Sequence, residues 1–301
     1  RLDEDGDAPD WIELFNASDS RTNLGGWGLS DRPAVPFKWT FPNVSLPPRG
    51  YLVVFASGKN RQTLGAPLHT NFQLASEGET LVLTTSAGTV ADLVPAVRLR
   101  RDVSHGRQPD GIGEWKFFAE PTPLGPNVRT AYTGLVFEAP AFSAPAGLYT
   151  EALVLSLSTT EPEVTIHYTL DNSEPTEMSP RFLEPLAIKS RAGQSNEFSM
   201  IRGTSTANQH TDGWKPPVGE VRKATVVRAR ALRPGALPGP VATHTYFIGP
   251  EAARSDGLPV LAITSAPAGL FDYTEGIYML GAIFDQYVAA HPGEALTGHT
   301  P

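Results

Sequence analysis

The densest group of residues that could do chemistry is the acidic run DEDGD at residues 3–7. Carboxylates that alternate around a glycine turn supply the oxygen ligands that a hard cation such as calcium prefers. The spacing departs from an EF-hand loop, which needs a glutamate at its twelfth position, because Glu13 falls at the eleventh when Asp3 is the first. Two interpretations stay open: a calcium site at Asp3, Asp5 and Asp7, or an acidic turn in solvent.

A second pair of acids, Asp10 and Glu13, brackets Trp11 and Ile12. A glycosidase needs two carboxyl groups that face one cleft at a defined separation. Because successive strand residues point to opposite faces, Asp10 and Glu13 point apart. We therefore expect Glu13 to accept a hydrogen bond from a neighbouring backbone group or from Asn16, and we predict no catalytic pair here.

The histidines carry no recognisable catalytic or metal-binding pattern. The chain has 7 of them, and none lies within the two to five residues of another that paired zinc ligands favour. Asp102, Ser104 and His105 are the residue types of a hydrolase triad, but neighbours on one strand cannot adopt its geometry. We predict no catalytic residues in this chain.

The tryptophans could serve either as core residues or as platforms for sugar rings. Four of them, Trp11, Trp27, Trp39 and Trp115, lie within strand-like runs and are predicted to be core. Trp214 lies in a polar segment rich in Ser, Thr, Asn and Gln, flanked by Asp212, Gly213, Lys215 and Pro216. It is the predicted ligand-binding residue, although a plain surface excursion explains this segment as well.

Composition narrows the class of protein. The net charge is −8 with no offsetting basic stripe, which disfavours nucleic acid as a partner. There are 0 cysteines, so disulfides, a thiol nucleophile and cysteine-bound zinc are excluded. No apolar run reaches the roughly 18 residues of a membrane span. The sequence contains no signal peptide and opens on Arg1 without Met, so we expect a leader to lie outside it.

The elements that must position these residues are short strands. The 28 Gly and 28 Pro are spread along the chain and punctuate alternating apolar runs. No long stretch before residue 266 has helical periodicity. In the first 130 residues, strands are predicted at 10–15, 37–41, 51–56, 80–84 and 114–118.

These first blocks carry a family resemblance. "DWIELFNAS", "NLGGWGLSD", "WTFPNVSLPPRGYLVVFASGK" and "HTNFQLASEGETLVLTTSAGTVAD" occur in the order found in bacterial lamin-tail domains. The resemblance implies an immunoglobulin-like β-sandwich over residues 1–130. That family normally has one more strand upstream, which reads roughly I-N-E-x-M-A, and its absence here implies an open sheet edge.

A second module is predicted at residues 136–249, after the Pro/Gly boundary at 122–127, which neither a helix nor a central strand could cross. Its strands include "ALVLSLS", "ATVVRARAL" and "VATHTYFIG". The run "IHYTLDNSEPT" at residues 166–176 resembles the signature of the chitobiase/β-hexosaminidase C-terminal domain family. That resemblance implies a second β-sandwich without catalytic residues of its own.

The last segment, residues 256–301, changes character. "LPVLAITSAPAGLFDYTEGIY" predicts a buried strand, a loop and a second short strand, and it resembles the opening of the CotH kinase family. Only this lead-in is present, because the phosphate-binding and metal-binding parts of that family lie further along.

The sequence thus predicts an all-β chain of two immunoglobulin-like β-sandwiches in tandem, plus a short incomplete C-terminal segment. The predicted function is that of non-catalytic adhesion or accessory modules of an exported bacterial protein, at the cell surface or outside the cell. The expected partner is a polysaccharide, an envelope component or a protein, with calcium as the one conceivable cofactor. The alternatives are the N-terminal part of an ATP-dependent CotH-type protein kinase and a structural spacer.

Overall fold

The computed structural model describes residues 1–201, 216–250 and 260–294. Within these residues the chain is built from short strands, with two short α-helices near its end. The all-β prediction is confirmed. The chain divides into two compact units, the first formed by Arg1–Leu135 together with Gly235–Leu237, and the second by the remainder.

The first unit contains thirteen consecutive strands in chain order. They are β1 (Asp10–Phe15), β2 (Thr22–Asn23), β3 (Gly28–Ser30), β4 (Trp39–Thr40), β5 (Ser45–Leu46), β6 (Tyr51–Ala56), β7 (Leu68–His69), β8 (Leu81–Thr84), β9 (Val90–Val94), β10 (Ser104–Gln108), β11 (Glu114–Phe118), β12 (Ala131–Tyr132) and β13 (Gly134–Leu135).

Two sheets enclose the core of the first unit. One has the strand order β1-β6-β7, and the other has the order β4-β3-β8-β9. Aliphatic and aromatic side chains from both fill the space between them, as expected for a sandwich. The buried members of this core are Leu14, Leu24, Leu29, Trp39, Phe41, Leu46, Val54, Leu68 and Phe72.

The pairing of β1 with β6 decides which residues face this core. The two strands are antiparallel, with Glu13 opposite Val53. Leu14 and Val54 point into the core. Because side chains alternate along a strand, Glu13 points to the opposite face, which we call the outer face. The order β1-β6-β7 leaves β1 at the edge of its sheet among the described strands.

A third layer covers the outer face. It comes from the antiparallel sheet β10-β11-β12 and its connections. The phenol of Tyr51 donates a 2.6 Å hydrogen bond to Asp110 Oδ2. A Cβ on Gly111 would lie 3.1 Å from the ring of Phe15, so the two chains are in contact. Both faces of the β1–β6 pair are therefore covered.

The second unit has fewer strands than the first among the described residues. Its main sheet has the order β15-β22-β20-β18, and its core holds Leu155, Ile188, Val227 and Tyr246. The strands that follow β13 in the chain are β14 (Ala141–Phe142), β15 (Gly147–Tyr149), β16 (Leu153–Leu155), β17 (Leu157–Ser158), β18 (Thr165–Thr169), β19 (Leu186–Ile188), β20 (Thr225–Leu232), β21 (Ala236–Leu237) and β22 (Ala242–Ile248), of which β21 belongs to the first unit and pairs with β13.

The C-terminal segment differs from its prediction. Its described part, residues 260–294, contains α1 (Pro267–Phe271) and α2 (Ala282–Ala290) and no strand. The predicted strands were wrong because a strand needs a neighbour to pair its backbone groups, and no described strand lies beside this run. Leu261, Ile263 and Ile277 stay 84%, 87% and 85% exposed. No helix among the described residues is long and apolar enough to cross a membrane.

Candidate functional site

The acidic run at the start of the chain folds into a tight loop just before β1. The backbone N–H of Asp3 donates to the carbonyl of Asp7 at 2.8 Å. The N–H groups of Asp5 and Asp7 each donate to Oδ1 of Asp3 at 3.0 Å. Gly6 has φ of +83°, a conformation that costs glycine little. These bonds turn the three aspartates toward one point.

Lys59, from the segment that follows β6, occupies that point. Its Nζ lies 2.6 Å from Asp3 Oδ2, 2.6 Å from Asp5 Oδ2 and 2.8 Å from Asp7 Oδ2. One carboxylate oxygen from each of the three aspartates lies within 4.8 Å of the other two, close enough to share one metal ion. The three donor hydrogens of an ammonium group match three acceptors, so Lys59 satisfies this arrangement without a metal.

A second set of contacts joins the same loop to the segment after β6. Arg61 Nη1 donates to Glu4 Oε1 at 2.6 Å, and Arg61 Nη2 lies 2.7 Å from Asp5 Oδ2. On the other side, His69 Nε2 lies 3.0 Å from Glu4 Oε2. The His69 Nδ1 atom lies 2.8 Å from Ser57 Oγ. We call Asp3, Glu4, Asp5, Asp7, Lys59, Arg61 and His69 the ionic cluster.

The charges of the ionic cluster stabilise one another. The hydrogen bond from Lys59 is the main cause that lowers the pKa of Asp3. Arg61, followed by Lys59, lowers the pKa of Asp5 to about 2. The pKa of Glu4 is lowered by its own backbone N–H and further by Arg61. In return, the carboxylates raise the pKa values of Lys59 and Arg61. The carboxyl groups of Asp3, Glu4 and Asp5 are thus expected to be ionised at neutral pH.

The Ser57–His69–Glu4 chain has the residue types of a hydrolase triad, but its geometry is that of a structural connection. The imidazole of His69 has 0% exposure and stacks on Phe55 with ring centroids 5.1 Å apart. Ser57 Oγ also accepts the backbone N–H of Lys59 at 3.2 Å. A general base has to reach a substrate proton, and this buried ring has no access to one.

The structure brings together the three aspartates proposed from the sequence, and it adds partners that the sequence did not reveal. Lys59, Arg61 and His69 lie 50 or more residues further along the chain, beyond the reach of local patterns. One signal was available in the sequence: Lys59 and Arg61 are the only Lys or Arg residues between Arg49 and Arg98. The predicted ligand-binding residue Trp214 lies outside the described residues.

The other tryptophans follow the core prediction to different degrees. Trp39 is 2% exposed, and Trp27 packs on the same core. Trp11 and Trp115 are half-buried. The indole of Trp115 stacks on His105 at 5.0 Å, and the guanidinium of Arg107 lies 4.5 Å from its centroid. Its ring is therefore engaged by side chains of its own sheet.

His105 and the neighbouring triad types are not arranged for catalysis. Ser104 and His105 are successive residues of β10 and point to opposite faces. Asp102 is exposed, with its carboxylate 3.9 Å from Arg101. Burial lowers the pKa of His105 to about 4, so the ring is neutral at neutral pH. These three residues therefore do not form the hydrogen-bonded arrangement of a hydrolase triad.

In the second unit, the run IHYTLDNSEPT forms the end of β18 and a clamped turn. Thr169 Oγ1 donates to the Ser173 carbonyl at 2.6 Å, and Ser173 N–H donates to Asp171 Oδ1 at 3.0 Å. From β20, Arg228 Nη1 donates to the Asn172 carbonyl at 2.8 Å. The polar residues of this run thus bond to one another and to β20. Their role is to fix the turn.

Comparison with known proteins supports both units separately. Residues 1–98 match the model of the Lamin Tail Domain family, whose fold is immunoglobulin-like. Residues 155–246 match a second family model, described as Fn3 associated. No curated protein sequence matches the chain. The two matches leave the chitobiase-like and CotH-like resemblances unconfirmed. Both matched domains are of accessory type, and they indicate a chain of non-catalytic modules.

Proposed function

We propose that this chain supplies the recognition modules of a large exported bacterial protein and holds it on a polysaccharide, an envelope component or another protein. The observation that carries this proposal is the succession of a Lamin Tail Domain match at residues 1–98 and an Fn3 associated match at residues 155–246. The acidic net charge fits a partner other than nucleic acid.

The proposed contact residue is Trp214. An aromatic side chain beside Gly213 and Pro216, in a weakly charged segment, can stack on a sugar ring or anchor a protein partner at small conformational cost.

A binding screen tests this proposal. Glycan arrays and envelope fractions are probed with the wild-type chain, with Trp214→Ala, and with Phe37→Ala as a control, since Phe37 is an exposed aromatic of the first unit. We expect Trp214→Ala to abolish binding while its melting temperature stays within a few degrees. Binding that survives Trp214→Ala refutes the residue. The absence of any wild-type binding favours the spacer interpretation.

A second candidate function is that of the N-terminal part of a CotH-type protein kinase whose catalytic core lies outside this chain. The supporting observation is the exposure of Leu261, Ile263 and Ile277, which are apolar residues of the segment that resembles the CotH lead-in. Such residues at the start of a domain are normally covered by the rest of it.

This candidate predicts that the present chain does not itself bind nucleotide. Phosphoryl transfer needs cations around the phosphates, and the sequence from Leu258 onward contains no Lys or Arg. Calorimetric titration with ATP and magnesium should give no heat of binding. A micromolar dissociation constant would place a nucleotide site within this chain and refute its non-catalytic assignment.

A further inference from the structure

Glu13 is a half-buried acid that the proposed function does not use. It lies on the outer face of β1, and its Oε1 accepts a hydrogen bond from the backbone N–H of Leu124, 111 residues away in the chain. Burial is the main cause that raises the pKa of Glu13 to about 7; the hydrogen bond from Leu124 acts in the opposite direction, and the charge of Asp110 adds to the rise. A carboxyl group with this pKa changes its charge in the neutral range.

The partners of Glu13 belong to one segment, residues 109–127, which we call the strap. The strap contains β11 and forms part of the layer over β1 and β6. Asp110 makes two hydrogen bonds that hold the strap. Its Oδ2 accepts a hydrogen bond from the Tyr51 hydroxyl at 2.6 Å, and its Oδ1 accepts one from the backbone N–H of Asn127 at 3.2 Å. The bond from Leu124 to Glu13 is a third anchor. The strap lies outside the Lamin Tail Domain match, which ends at residue 98.

The turn at Leu124 depends on such anchoring. Its φ is +67°, a left-handed conformation that is unfavourable for a bulky residue and persists only where surrounding contacts hold it. Leu124 is 50% exposed, so burial of its side chain contributes little. The contact of its N–H with Glu13 is therefore an important restraint on this turn.

We propose that Glu13 and Asp110 form a proton-operated clasp, in which the strap stays docked on β1 and β6 while Glu13 is protonated and loosens when Glu13 is ionised. Burial disfavours the charged form of Glu13, and repulsion by the negative charge of Asp110 acts in the same direction. A neutral Glu13 keeps its carbonyl oxygen as an acceptor for Leu124 and removes the repulsion.

The direction of the pH effect follows from linkage. The pKa of Glu13 is raised in the folded protein, so its contribution to docking is fully present below its ordinary pKa and is lost as the pH rises through about 7. Two other charged groups act on Glu13. Asp110 of the strap raises the pKa of Glu13, and the positive charge of Arg1 lowers it. Tyr51 stays neutral over this range because burial and Asp110 raise its pKa.

Hydrogen exchange tests the clasp. Amide protection of residues 109–127 is measured at pH 5.5 and pH 8.5, with intrinsic exchange rates corrected. In the wild-type chain we expect protection at Leu124 and Asn127 to fall by about tenfold or more at the higher pH. A tenfold change in the docking equilibrium corresponds to one unit of difference between the pKa of Glu13 in the docked and the loosened state. In Glu13→Gln, which keeps the acceptor and removes the charge, protection should be equal at both values.

Two further variants make the outcome decisive. Glu114→Gln alters an exposed acid of the strap that pairs with Lys116, and it should behave like the wild type. Asp110→Asn removes the neighbouring charge and should lower the titration midpoint of Glu13, followed by carboxyl ¹³C NMR. The proposal is overturned if Glu13→Gln retains the pH dependence, or if wild-type Glu13 titrates near its ordinary pKa.

Discussion

The ammonium group of Lys59 lies 2.6 Å from a carboxylate oxygen of Asp3, whose side chain is 0% exposed. The two residues are 56 positions apart in the chain. Asp5 and Asp7 bind the same ammonium from the solvent side, where their side chains are 39% and 68% exposed. The acidic loop is therefore held to the sandwich by a cation that belongs to the protein itself.

Removing that cation should destabilise the first unit. In Lys59→Met the stem of the side chain is kept while three carboxylates lose their common partner, and the buried carboxylate of Asp3 is left uncompensated. We expect the melting temperature to fall by several degrees in differential scanning calorimetry. The control is Arg49→Met, which breaks the ion pair between Arg49 and Asp19. Because these two side chains are 60% and 89% exposed, the change should alter the melting temperature little.

The same geometry predicts how the loop responds to calcium. In the wild-type chain Lys59 occupies the point where the ion would sit, so calcium has to displace an ammonium held by three carboxylates. Calorimetric titration should show no binding at micromolar calcium. Lys59→Gln removes the competing charge and leaves Asp3, Asp5 and Asp7 in place, and it should gain measurable affinity. Tight wild-type binding would mean that Lys59 swings away and that calcium is a true cofactor.

Acid should release the loop. The pKa of Asp5 is lowered to about 2, and those of Asp3 and Glu4 are lowered as well. A lowered pKa gives stability that is present above the ordinary value and is lost as the pH falls through the folded value. NMR of the Asp5 and Asp7 amides should show the loop detaching between about pH 4 and pH 2. In Lys59→Met detachment should occur at higher pH, and an unchanged midpoint would contradict the role of Lys59.

Local sequence patterns predicted the strands near the acidic loop well. The predicted runs at 10–15 and 51–56 coincide with β1 (Asp10–Phe15) and β6 (Tyr51–Ala56). Alternation of apolar residues suffices there because one face of each strand is buried in the core. Glu13 accepts a hydrogen bond from a backbone N–H, as predicted. The donor, however, is the distant residue Leu124 and not a neighbour in the sequence.

Contacts between distant residues set the limit of the prediction. Lys59 reaches Asp3 because the pairing of β1 with β6 brings the segment after β6 next to the segment before β1. The local pattern of apolar and polar residues does not indicate this pairing. Asn16, proposed as a partner of Glu13, instead donates to the carbonyls of Ser20, Leu46 and Pro47. At Val260–Thr264 the apolar run was strand-like, yet strand formation also requires a neighbour, which local sequence does not encode.

The turn of the second unit offers a test of its structural role. Thr169 is 6% exposed, and its hydroxyl donates to the Ser173 carbonyl at 2.6 Å. Thr169→Val keeps the shape and leaves this carbonyl without its donor, which should cost about 1–2 kcal/mol of unfolding free energy. Chemical denaturation measures the loss, with Thr243→Val on the exposed part of β22 as the control. Equal effects of both variants would show that the turn is not held by Thr169.

The boundary between the two predicted modules can be tested by proteolysis. The Pro/Gly run at 122–127 is followed by Val128, Arg129 and Thr130, which are all exposed. Exposed backbone without regular pairing is the preferred substrate of proteases. Limited trypsin digestion should therefore give a cut after Arg129, although Arg129 lies 3.6 Å from Glu120, because an ion pair with partners 58% and 72% exposed restrains the chain weakly. Mass spectrometry identifies the site, and Arg129→Gln should abolish the cut. Each fragment should keep a cooperative thermal transition, since the buried core of each unit lies wholly on one side of this cut. Loss of the transition in either fragment would contradict the independence of the modules, as would a resistant chain in which no cut occurs between residues 120 and 136.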